Sequence, residues 1–127
     1  MKLTRAEVMA LQTGREMDAC VAEHVMGLEL FRDRHGNAYV KGDHGLLENN
    51  MPPAYSTEIA ACWQMQERIG REWSEESRIA YARNLAMLLL GEPDALLRWE
   101  HVWALAFASP WWRCRAALLT LCEERAA

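Results

Sequence analysis

The chain has 127 residues, room for one domain of ordinary size and not for two. Half of its residues are hydrophobic and a quarter are charged, a balance that excludes a disordered chain and supplies a core without disulfides or zinc. The net charge of −4 provides no basic face, so direct nucleic-acid binding is not expected.

The opening residues lack the apolar stretch of a secretory signal. The longest apolar run, 85–90, falls far short of the ~20 residues that span a bilayer. A cytoplasmic protein without a membrane partner is the expectation. The four cysteines, Cys20, Cys62, Cys114 and Cys122, show no C-x-x-C spacing and should be reduced thiols.

Two Thr-x-x-Glu boxes come first. Thr4 with Glu7 predicts one short helix, and Thr13 with Glu16 predicts a second that stops at Gly27. The second carries Met17, Cys20 or Val21, His24 and Val25 at helical spacing. Residues 28–33 and 38–41 alternate around the turn Arg34-His35-Gly36-Asn37, a β-hairpin that must lie on helices to be stable. Residues 42–55 read as a long irregular loop. Ser56 then predicts a helix over 57–69, ended by Gly70, with Ile59, Cys62, Trp63 and Met65 or Ile69 buried. On that reading Trp63→Ala unfolds or badly destabilises the protein. Ser74-Glu75-Glu76 opens the next helix, which carries Tyr81, Ala82, Leu85, Leu88 and Leu89 as its stripe and stops at Gly91. Residues 94–108 fit a strand or a helix, and their alanines favour the helix. Ser109-Pro110 starts the last helix, with Trp111, Cys114, Ala117, Leu118, Leu121 and Cys122 inward. The predicted fold class is α+β and mostly helical, a β-hairpin packed on several helices in a single compact domain.

Three segments carry a resemblance. Gly14-Arg15-Glu16 leads through Asp18-Ala19 to Val25-Met26-Gly27. Tyr55-Ser56-Thr57 leads through Ile59-Ala60-Ala61 to Trp63. Arg113-Cys114-Arg115-Ala116-Ala117-Leu118 forms the third. In this order they resemble the phage ABA-sandwich domain family, small proteins of bacteriophages and prophages, over about half the chain. The resemblance implies a helix–sheet layered domain and a phage setting. It implies no activity for particular residues. Residues 71–108 read as helices where the family has strands, so the sheet is expected to shrink to the hairpin.

No motif places a nucleophile beside a base, so no catalytic residue, cofactor or metal is assigned. Cys20 and His24 stand four apart on one helix, which is two ligands and not a site. His35, Asp43 and His44 lie in or near the hairpin and its loop and are the loop candidates for acid–base or metal chemistry. Glu100, His101, Glu123 and Glu124 read as solvated helix faces. Neighbouring residues on a helix point ~100° apart. Trp112 is therefore expected to leave the core that holds Trp111, and with Arg113 and Arg115 it has the composition of a partner-binding spot. The expected function is a phage- or prophage-encoded non-enzymatic protein that binds a host protein, such as a defence complex, in the manner of an anti-CRISPR. One alternative is a binder of a nucleotide signal, with Arg113 and Arg115 on the phosphate. Another is a metal-dependent enzyme built on His35 and His44. The sequence leaves the oligomeric state open.

Overall fold

The computed structural model describes residues 3–41, 51–91, 106 and 108–126. Thr4 opens α1 (Arg5–Ala10) as predicted, its hydroxyl oxygen accepting the Glu7 N–H at 3.1 Å. α2 (Arg15–Cys20) runs straight into a π-helical turn, Val21–Val25, before Gly27 turns the chain at φ 67°. A π turn is wider than an α turn and frees carbonyls at its end. Arg68 takes one of them, its Nε donating to the Val25 carbonyl at 2.9 Å. A Cβ on Gly27 would meet that guanidinium at 3.3 Å, so positive φ and close approach both require glycine there.

The hairpin forms where the alternation places it. β1 (Leu30–Arg32) pairs antiparallel with β2 (Ala38–Val40), with Phe31 opposite Tyr39. Asp33 builds the turn, its Oδ1 accepting the N–H groups of His35 (2.8 Å) and Asn37 (2.9 Å). These two strands are the whole sheet among the described residues. The mostly helical α+β class is thus observed, with α2 against β2.

α3 (Ile59–Glu72) departs from expectation at both ends and in its phase. It starts two residues later than predicted, at Glu58, with no side-chain cap, because Ser56 is engaged elsewhere. Gly70 does not stop it: the helix runs on to Glu72, and the Gly70 carbonyl accepts from Arg78. Its buried face is Ala61, Cys62, Met65 and Ile69. Ile59 is 75% exposed and Trp63 58% exposed. At ~100° per residue, Trp63 lies nearly opposite the centre of that face. Trp63→Ala is accordingly expected to change stability by less than ~1 kcal/mol. A melting curve checks it; with Trp63 in solvent, the truncation leaves no core cavity to unfold the protein.

α4 (Glu75–Leu90) begins with Ser74 accepting the Ser77 N–H at 3.1 Å and ends at Gly91 with φ 73°, both as predicted. α5 (Pro110–Ala126) is the element around which the rest is arranged. Every residue from 114 to 120 is buried, on all sides of the helix. A helix without a polar face must be surrounded. Here α1, α3, α4 and the π turn all pack on it. Thr120, the polar residue of that band with a hydroxyl, is satisfied in place: it donates to the Ala116 carbonyl (2.8 Å) and accepts from Asn84 of α4 (3.0 Å). No described helix is long and apolar enough to cross a membrane.

The question of helix or strand over 94–108 falls on residues outside those described, apart from Ala106 and Ala108.

Candidate functional site

The second Thr-x-x-Glu box does not cap a helix. Gly14, at φ 117°, occupies the cap position of α2 with no side-chain bond. The Thr13 hydroxyl instead donates to the Ser56 carbonyl at 3.4 Å. Ser56 is the hub of this corner. Its N–H donates to Asp18 Oδ1 at 2.8 Å, its hydroxyl donates to the same oxygen at 2.7 Å, and its Oγ accepts the Gly14 N–H at 3.0 Å. Asp18 and Ser56 are both buried. Burial raises the Asp18 carboxyl above its ordinary range, the two Ser56 hydrogen bonds pull it back, and nearby Glu58 raises it again, with a net upward shift.

Of this corner, Asp18 also lines a cleft of about 310 Å³ formed by the start of α2, the hairpin turn and residues 51–54. Arg15, Glu16 and Asp18 line one side and Met51, Pro52 and Ala54 the other. Its size and mixed lining suit a small ligand carrying both charges and a short apolar group. No sequence motif announced it, because Asp18 and Ser56 are 38 positions apart.

The C-terminal cluster is arranged differently from the expectation. Trp111 and Trp112 are both half-buried and both pack on the core, their rings 4.6 Å apart. Arg115 is only 7% exposed, although it was expected at the surface. Its guanidinium lies 4.5 Å from the Trp111 ring centre, and one Nη donates to the Leu11 carbonyl. Burial lowers its pKa. Arg113 donates to the carbonyls of Ala106 (2.9 Å) and Ala108 (3.1 Å). These four residues thus tie the start of α5 to its surroundings, and the phosphate-holding role of the two arginines meets guanidiniums already committed to backbone. Trp111→Ala and Trp112→Ala are both expected to lower stability, by ~1–3 kcal/mol each. Urea unfolding of the two variants checks this, and it replaces the expectation that only Trp111 matters.

Among the loop candidates, His35 is exposed on the hairpin turn, where the Asp33 carboxylate holds its N–H. Asp43 and His44 lie outside the described residues, as do Glu100 and His101. Glu123 pairs with Arg5 at 3.2 Å, and Glu124 accepts from the Ser77 hydroxyl. The Cys20 thiol is pushed up to about 11, chiefly by burial and next by Glu16, which disfavours the thiolate that a metal needs. Among the described residues no group of three His, Cys, Asp or Glu side chains could hold a metal ion. All four cysteines are free thiols, and Cys62 of α3 and Cys114 of α5 are neighbours inside the core. The hydrogen bond to Cys62 and then burial push the Cys114 thiol upward.

The exposed aromatic that sequence reasoning sought at Trp112 is found on α3. Ile59 and Trp63, four apart, stand together on its outer face. The signal for it was present in the sequence, as a second helical stripe competing with the one that is buried.

Comparison with protein-family models, curated proteins and solved structures gave no match.

Proposed function

We propose that this chain is a non-enzymatic binding protein that covers part of a partner protein's surface. In the phage setting implied by the three resembling segments, the partner is a host protein of a defence complex, and the effect is inhibition of an anti-CRISPR kind. The observation that carries the reading is the Ile59–Trp63 pair on α3. Adjacent exposed apolar side chains on a well-formed helix can mark an interaction site, and aromatic anchors dominate binding energy. The three segments also meet in space: Asp18 holds Ser56, and Arg115 reaches Leu11 just ahead of the first segment.

The test is phage plating on a host that carries a CRISPR–Cas system, with this chain expressed. The wild type is expected to restore plating and to co-purify with a subunit of that system. Trp63→Ala is expected to lose both while keeping its melting curve, with binding weakened by ~2 kcal/mol or more. Unchanged plating with the wild type, or full activity of the variant, overturns the reading.

The cleft over Asp18 favours a second reading, a small-ligand binder. A ligand held there must raise the melting temperature, so a thermal-shift screen of nucleotides and amino acids decides it, with Arg15→Ala as the control.

A further inference from the structure

The outer face of α4 is a second surface that folding leaves unused. The helix buries Tyr81, Leu85 and Ala86 on one side. On the other it presents Ile79, 51% exposed, and Met87, 42% exposed. A solvent face should be polar on an amphipathic helix, and this one mixes exposed Ile79 and Met87 with the charged Glu76 and Arg83. Glu76, Ile79, Ala80 and Arg83 line a shallow groove of about 390 Å³, bordered by the Arg5–Glu123 ion pair.

The order of charges along this face says what fits it. Glu76 and Arg83 are seven positions apart, two helical turns, so they share the face about 10 Å apart, with Ile79 and Ala80 between them. Reversing such a face gives its own complement. When two copies of α4 lie antiparallel about a two-fold axis that passes between positions 79 and 80, Glu76 of each meets Arg83 of the other. The apolar pair Ile79 and Ala80 then packs on itself at the axis. An isologous dimer needs this self-complementarity. Arg83 also has an interaction within its own chain, so pairing with Glu76 of the second copy is an additional contact for it.

We infer that the α4 face, centred on Ile79 and Ala80 and flanked by Glu76 and Arg83, is a homodimer interface in which α4 pairs antiparallel with α4 of a second copy. The contact is modest in size, so the dimer dissociates on dilution and weakens as salt screens its ion pairs.

Sedimentation equilibrium of the full chain over the micromolar range tests this. The wild type is expected to show a monomer–dimer equilibrium. Glu76→Arg places like charges together twice across the axis and should weaken the dimer at least about tenfold. Adding Arg83→Glu to Glu76→Arg swaps the pair and should restore it. Ile79→Ser, at an exposed position, should give a folded monomer, checked by circular dichroism. A wild type that stays monomeric throughout overturns the inference and leaves the face to some other partner. So does a Glu76→Arg dimer as tight as the wild type, or a charge swap that fails to recover association while the protein remains folded.

Discussion

Replacing Leu118 by alanine should lower stability by about 4 kcal/mol, the largest effect of any single truncation considered. Leu118 is fully buried near the middle of the band where α5 is enclosed on every side. A residue near a surface can let its neighbours collapse into the space it leaves. Here the wall is made of α1, α3, α4 and the π turn, each already held by its own contacts, so a cavity would persist. A small domain has only about 5–15 kcal/mol in all. The variant should therefore melt far below the wild type, or fail to fold at body temperature. Urea unfolding followed by circular dichroism measures it, and a loss under ~1 kcal/mol would mean that the band is not closed around α5. The contrast with Trp63→Ala is instructive, because the larger side chain is expected to matter less.

Asp18→Ala should cost about 2–3 kcal/mol, since it strands the buried Ser56 N–H and leaves the Ser56 hydroxyl only the Gly14 carbonyl at 3.4 Å. The pH dependence separates the charge from the hydrogen bonds. The Asp18 carboxyl is raised in the folded state, chiefly by burial, relative to its ordinary value of 3.8. The folded protein then holds this proton more tightly than the unfolded chain does. The stabilisation is complete below the ordinary carboxylate pKa and is lost as pH rises through the raised folded value. Asp18→Asn keeps an acceptor for Ser56 and has no charge to bury. It should remove that slope and match or exceed the wild type at neutral pH. Denaturation series run from acid to neutral pH would show this. A wild-type slope that survives in Asp18→Asn would assign the effect to another carboxylate.

What could be read from sequence was what local chemistry decides. Ser74 and Thr4 cap helices because their hydroxyl oxygens reach N–H groups three residues on. Gly27 and Gly91 end helical segments because each stands at positive φ. The hairpin turn follows from Asp33, Gly36 and Asn37. Long-range partners decided the rest. Thr13 and Ser56 look like caps, yet each spends its hydroxyl on a segment about 40 positions away. α3 carries two apolar stripes, and the bulkier one, Ile59 with Trp63, is on the outside. Small Ala61 and Cys62 let α3 approach α5 closely, and a tryptophan there would hold it off. Trp112 is likewise not legible from sequence, because Arg115 is a buried cation against which Trp111 packs and not a surface residue.

The two ends of the described chain are fastened to each other. The Leu3 carbonyl accepts from the Cys122 thiol at 3.1 Å, Arg5 pairs with Glu123, and Arg115 reaches Leu11. α5 is both the last element described and the one every other helix needs. During synthesis on the ribosome the earlier helices emerge first, with their apolar faces ready and nothing to close on. Cooperative folding must wait until the stretch from 110 to 126 clears the exit tunnel. Until then the nascent chain is the form most exposed to chaperones and proteases. A stop codon that removes α5 would thus yield no shortened domain but an unfolded polypeptide.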